Sequence, residues 1–227
     1  MAFTLDQVVP WGRSYDEYAS MFGLTESDLS RRILGCGDGP AAFNSMLSHR
    51  GGYIVSVDPV YVFTVEQIRT RIAETYDKVM AQMRENQGDY LWQAILSIEQ
   101  LGKLRMAAME IFLADFEPGK QEGRYIAGEL PLLPFENQQF DIALSSHFLF
   151  LYSNQLSFEF HLQAIQDMLR VAREVRIFPV LANDGEPSPH LEPIMNHFVT
   201  QAWSVELRRV PYEFQKGGNQ MLVIRIA

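Results

Sequence analysis

Apolar residues recur along the chain with two periods, and the changes from one period to the other mark its elements. Ser14-Tyr15-Asp16-Glu17 has the S-x-x-E form of a capping box and Thr25-Glu26-Ser27-Asp28 a related form, so residues 1–30 are expected to hold two short N-terminal helices punctuated by Pro10 and Gly23. Arg32-Ile33-Leu34 is a short apolar run that stops at Gly35-Cys36-Gly37-Asp38-Gly39-Pro40. Pro40 suits the first turn of a helix, where its missing N–H has no partner to lose, and that helix is expected to run through Phe43 and Met46-Leu47 to about Gly51-Gly52. Tyr53-Ile54-Val55-Ser56-Val57 reads as a buried strand closed by Asp58-Pro59. Strand, glycine turn, helix, strand and acid make a βαβ unit with parallel strands and a right-handed crossover.

A helical stretch follows. Thr64 and Gln67 cap a stripe of Val65, Ile68, Ile72, Tyr76, Val79 and Met83. Ser97 and Gln100 cap a second helix that carries Leu101, Leu104, Ala108 and Ile111 and is expected to stop at Pro118-Gly119. Residues 61–122 are longer than a crossover requires and read as a helical insertion that lies over the sheet edge or forms a lid. Strand signals return at 124–127, at Phe140–Ser146 and at Val175–Leu181, with helices over Phe158–Val171 and from Ser188-Pro189 to Phe198. The alternation of Val205 and Leu207, then of Leu222, Ile224 and Ile226 beyond Gly217-Gly218-Asn219, predicts a terminal antiparallel hairpin. With no repeat and no linker, residues 1–227 read as one α/β domain.

Composition narrows the class. Apolar residues make up 47% of the 227, too many for a disordered chain, and no apolar run reaches a membrane span. Nineteen basic against 28 acidic residues give a formal charge of −9, which disfavours a nucleic-acid partner. The start, Met1 to Asp6, shows no signal peptide, so a cytoplasmic location is expected. Cys36 is the one cysteine, and the histidines lack an i, i+4 pair, so no metal site is expected.

A strand that enters a helix through glycines exposes bare backbone to a ligand at the carboxyl end of the sheet. Asp58, 21 positions after Gly37 at the end of the next strand, is placed to accept ribose hydroxyls, so the unit reads as a nucleoside half-site. Gly37-Asp38-Gly39-Pro40-Ala41-Ala42 also satisfies the dinucleotide pattern G-x-G-x-x-A, which keeps an NAD-dependent oxidoreductase open.

The segment from Gly128-Glu129-Leu130-Pro131 through Pro134-Phe135, Phe140-Asp141 and Ser145-Ser146-His147 resembles the third and fourth motifs of class I S-adenosylmethionine-dependent methyltransferases. With Leu34 to Pro40 and Val57-Asp58, the resemblance spans about residues 31–181. It implies a doubly wound, Rossmann-like, mostly parallel seven-stranded sheet that ends in an antiparallel hairpin. It also implies S-adenosyl-L-methionine as cofactor and methyl transfer to an oxygen or nitrogen of a small-molecule acceptor. By the same resemblance Gly35, Gly37 and Gly39 let the methionine portion pass, with Asp38 inside that turn. Asp58 and Pro59 lie at the ribose, Glu129 and Leu130 flank the adenine, and Ser145 and Ser146 offer groups near the sulfonium. The family's acid just before the glycines is replaced here by Ile33 or Gly35. A non-catalytic cofactor-binding protein is therefore a further alternative.

His147 follows the fourth strand, where a general base would stand. The aromatic-rich stretch from Pro10 to Tyr18 offers Tyr15 to a sulfonium and Arg13 to the cofactor's carboxylate. Tyr212 and Lys216 match Y-x-x-x-K but lie in the terminal hairpin, away from the switch point. The expected partner is a small-molecule methyl acceptor, with neither nucleic acid nor membrane, and a homodimer is compatible with this reading.

Overall fold

A computed structural model describes residues 10–226; the Met1–Asp6 start lies outside them. The two capping boxes form as expected. The Ser14 and Thr25 side chains accept from the backbone N–H groups of Glu17 and Asp28, whose carboxylates return to the cap residues. They open α1 (Tyr15–Met21) and α2 (Glu26–Leu29).

Seven strands follow: β1 (Arg32–Cys36), β2 (Tyr53–Val57), β3 (Tyr125–Ile126), β4 (Phe140–Ser146), β5 (Ala172–Phe178), β6 (Trp203–Arg209) and β7 (Gln220–Ile226). They form one sheet in the order β3-β2-β1-β4-β5-β7-β6. The first five strands are parallel, and β7 runs antiparallel between β5 and β6. The strand order reverses between β1 and β4, which leaves a crevice at their carboxyl ends.

Alternation along the strands sorts the core onto two faces. Leu34, Cys36, Val55, Val57 and Ala143 pack with α6 (Phe158–Val171) and α7 (Leu191–Thr200). Ile33, Ile54, Ile142 and Leu144 pack with α1 and α3 (Phe43–His49). The helix after the glycine turn thus starts at Phe43, and Pro40 stays outside it. Residues 37–41 first make a loop in which the Arg13 carbonyl accepts from Ala42 N at 2.9 Å.

The insertion holds α4 (Val65–Glu85) and α5 (Ile98–Gln121). It covers the edge strand β3: Tyr61, Phe112, Phe116 and Tyr125 form one aromatic cluster. Contrary to expectation, α5 runs through Pro118 for one more turn. Arg124 donates twice to Asp115, at 2.6 and 2.9 Å, and Tyr125 Oη donates to it at 2.9 Å, so the helix end is clamped to β3. Gly119 lets the Tyr125 ring lie against that turn, since a Cβ there would sit 2.4 Å from it. No helix among the described residues is long and apolar enough to cross a membrane.

Candidate functional site

A cavity of about 820 Å³ opens at the carboxyl ends of the five parallel strands. On the sheet side its wall holds Gly37, Asp38 and Gly39 after β1, Asp58 and Pro59 after β2, and Glu129 and Leu130 after β3. Ser146 and His147 at the end of β4 complete that side. Gly37 and Gly39 have φ of 69° and 53°, a region that favours glycine. A Cβ on Gly39 would meet nothing within 4 Å, so the turn offers bare backbone to a ligand.

Asp58 is buried deeply enough to raise its pKa, against the pull of two backbone donors. Its Oδ2 accepts from Gly39 N and its Oδ1 from Val60 N, both at 2.8 Å. The carboxylate therefore ties the end of β2 to the glycine turn, and each oxygen keeps a lone pair for a ligand hydroxyl. Tyr61 Oη donates to the Gly39 carbonyl at 2.8 Å and braces the same turn from below.

Asp38 turns inward. Its Oδ1 accepts from Tyr18 Oη at 3.0 Å and its Oδ2 from Ser56 Oγ at 2.6 Å. Burial, with the Asp58 charge added, pushes it up to about 6 against those two hydrogen bonds.

Three expected site residues lie elsewhere. Gly35 sits inside β1, and its bare Cα faces the Asp38 carboxylate, so it makes room for Asp38 and not for a ligand. Ser145 is fully buried and by alternation shares with Ala143 the face toward α6, while Ser146 shares the other face with Leu144. Tyr15 stacks on Phe43 at 5.4 Å with the Arg50 guanidinium 4.0 Å from its ring centre, and it lines no part of the cavity.

His147 has φ of 53°, an uncommon value for a residue with a Cβ, held by its N–H donating to the Phe178 carbonyl at 2.7 Å. Its Nδ1 lies 2.9 Å from Ser146 Oγ, which in turn donates to Met21 Sδ at 3.9 Å. Burial first, then the charges of Arg13 and Arg105, hold its pKa well below the usual histidine value, so the ring is neutral at pH 7.

The opposite wall comes from the N-terminal segment, the insertion and the 212–215 stretch, and includes Trp11, Arg13, Leu101, Arg105, Tyr212 and Phe214. Arg105, 1% exposed, donates to both oxygens of Glu17 at 2.5 and 2.7 Å, and Tyr212 Oη donates to the same carboxylate at 3.1 Å. Despite burial, Arg105 holds Glu17 down at about 2. Lys216 Nζ donates to the Gly88 carbonyl, so Tyr212 and Lys216 serve different partners and form no dehydrogenase-like pair.

The wall is stitched. Leu91 N donates to the Phe214 carbonyl at 2.7 Å, Lys216 N to the Asp89 carbonyl at 2.9 Å, and Tyr90 and Gln215 form an antiparallel bridge. The Tyr90 and Phe214 rings stack at 4.9 Å, with Trp92 edge-on to Phe214 at 5.4 Å. Sequence reading missed Arg105, although a charged residue between Leu101 and Ala108 on the apolar stripe of α5 is itself a signal. No group of three metal-ligating side chains occurs among the described residues.

No family model matches the chain. The chain is 32% identical over 222 residues, 97% of each chain, to the uncharacterized protein MJ0045 of Methanocaldococcus jannaschii. It is also similar to two solved structures. One is the magnesium protoporphyrin IX methyltransferase ChlM of Synechocystis PCC 6803 with bound SAM, at 9% identity over 94% of this chain and 91% of that one, with a TM-score of 0.46. The other is a SAM-dependent methyltransferase of Aquifex aeolicus, at 13% identity over 92% and 86%, with a TM-score of 0.42. The sheet order, with its antiparallel β7 beside β5, is that of the class I S-adenosylmethionine-dependent methyltransferase fold, and the chain belongs to one family with MJ0045.

Proposed function

We propose that the protein is an S-adenosylmethionine-dependent methyltransferase acting on an oxygen or nitrogen of a small-molecule acceptor. The observation that carries this reading is the continuity of one cavity, from the Gly37–Gly39 turn and Asp58 on the sheet side to an aromatic chamber under the insertion, with Ser146 and His147 between them. The open backbone at Gly39 and the lone pairs left on Asp58 fit an adenosine-bearing group. S-Adenosylmethionine, when bound, supplies an electrophilic methyl carbon. Gly37 and Gly39 let its amino-acid portion lie close to the chain, Asp58 accepts its ribose hydroxyls, and Glu129 and Leu130 border its base.

Placement of the acceptor supplies most of the rate, because an in-line displacement needs the two reactants aligned in a dry site. His147 takes the acceptor's proton where one must leave. The Ser146 hydroxyl, 2.9 Å from Nδ1, orients the ring, and in the tautomer with the proton on Nδ1 the Nε2 lone pair is the one free to act. Burial and the Arg13 and Arg105 charges keep the ring unprotonated at pH 7 and also weaken it as a base, so it serves an acceptor whose proton leaves readily.

Calorimetric titration tests the reading. S-Adenosylhomocysteine is expected to bind with micromolar affinity and to lose that affinity in Asp58→Ala. Binding of NAD in its place would establish the oxidoreductase reading instead.

A further inference from the structure

The chamber has an uneven charge pattern. Arg13 and Arg105 both line it, and one carboxylate, Glu17, serves them. Glu17 spends both oxygens on Arg105 and takes a further bond from Tyr212. The Arg13 guanidinium donates from Nη1 to its neighbour's carbonyl, Trp11 O, at 2.7 Å, its Nε is buried with no partner, and no carboxylate pairs with it among the described residues. The other acids on the cavity wall, Asp38, Asp58 and Glu129, follow β1, β2 and β3 on the sheet side. Arg71 of α4 also lines the cavity and reaches Glu74 at 3.4 Å, so among the described residues Arg13 is the lining guanidinium left without a carboxylate partner. A guanidinium out of water is stabilised by an anion that its planar fork can hold with two hydrogen bonds.

The surfaces around that charge are aromatic. Trp11, Tyr90, Trp92 and Phe214 all pack against the Val79, Met83, Ile95 and Leu101 cluster, and the stacked and edge-on rings of the last three are fixed by the ladder to residues 214–216. Arg13 lines the same cavity as Tyr90 and Phe214 of that aromatic wall and His147 at the end of β4. A flat ring gains offset-stacking and edge contacts on such a wall.

We infer that the methyl acceptor is a planar aromatic carboxylate, its carboxylate gripped by the Arg13 fork and its ring seated against Tyr90 and Phe214. This rests on the methyltransferase reading, and it gives Arg13 to the acceptor in place of the cofactor's carboxylate. Among the described residues on this side, Glu17 is committed to Arg105 and Tyr212, which disfavours a cationic amine.

The test uses the full-length protein saturated with S-adenosylhomocysteine and three probes of one shape: naphthalene-2-carboxylate, naphthalene-2-carboxamide and 2-naphthylmethylammonium. Calorimetry is expected to rank them in that order, with the carboxylate bound about tenfold or more tighter than the amide, the effect of one charge-assisted pair. Arg13→Met is expected to erase that preference and Arg13→Lys to keep part of it. Equal binding of the three probes, or a preference that survives Arg13→Met, overturns the inference while the transferase reading stands. Loss of S-adenosylhomocysteine binding in Arg13→Met with the carboxylate preference intact assigns Arg13 to the cofactor and also overturns it. Failure of S-adenosylhomocysteine to bind the wild type overturns the transferase reading, and this inference with it.

Discussion

The Asp38 carboxylate occupies the space that a side chain on Gly35 would need: a Cβ there would lie 1.7 Å from Asp38 Oδ2. The carboxylate is held in place by Tyr18 and Ser56, so it has no easy way to move aside. Gly35→Ala is expected to cost about 2–4 kcal/mol of stability, as forced overpacking and broken buried hydrogen bonds do. In Gly35→Ala/Asp38→Gly the clash is gone, and urea unfolding is expected to show a loss smaller than the sum of the two single losses. Additive losses would mean that the two positions do not compete for one space.

The raised pKa of Asp38 has a pH signature. Its folded value of about 6 lies above the ordinary 3.8, so the folded state binds more protons between them. Relative to Asp38→Asn, the wild type is expected to gain stability as the pH falls from about 6 toward 3.8 and to change little below that. Thermal unfolding of both proteins across that range measures the difference.

Glu17 behaves in the opposite sense. Held at about 2 against an ordinary 4.5, it contributes stability that is fully present above pH 4.5 and is lost as the pH falls toward 2. Glu17→Gln leaves the Arg105 charge buried without a counter-charge and is expected to destabilise the fold by about 3–5 kcal/mol, the range for breaking a buried ion pair. The variant is also expected to show a flatter unfolding profile between those two pH values.

His147→Asn separates folding from chemistry. Asparagine tolerates the left-handed backbone at this position, so the melting temperature is expected to stay near that of the wild type. For an acceptor with a proton to lose, the transfer rate is expected to fall by about 10²-fold or more, the usual contribution of a positioned base. An unchanged rate would leave His147 with a packing role against Phe178.

Gly12 lies against the glycine turn, where a Cβ would sit 2.1 Å from the Pro40 carbonyl oxygen. The Pro40 backbone cannot give way cheaply, and Met109 Cγ stands 2.9 Å away, so Gly12→Ala is expected to lift residues 10–13 off the turn and weaken binding at the cavity. Tryptophan fluorescence, which reports the surroundings of Trp11, checks the displacement.

Much of the sheet was legible because its signals are local. The run from Arg32 to Leu34, the glycines and the acid at 58 announce a βαβ unit in order, and the hairpin alternates cleanly. The misplaced residues share another cause. Whether Ser145 or Ser146 faces the crevice depends on which sheet face carries α1 and α3, and no stretch of sequence states that. Tyr15 was read as ligand-facing from its aromatic neighbours, yet α1 turns it onto Phe43. The pairing of Glu17 with Arg105 joins residues 88 positions apart, and the Glu17 capping role gave no hint of it. Pro118 looked like a terminator because the clamp that overrides it, Asp115 with Arg124 and Tyr125, forms only in the folded chain.

The miniature ladder between residues 89–91 and 214–216 makes the final strands a hasp as well as a sheet edge. A fragment that ended before residue 210 would lose β7 from between β5 and β6 together with the far wall of the cavity. The closed cavity is therefore a late property of the chain: its far wall is complete only once the last stretch has been fastened back onto the insertion.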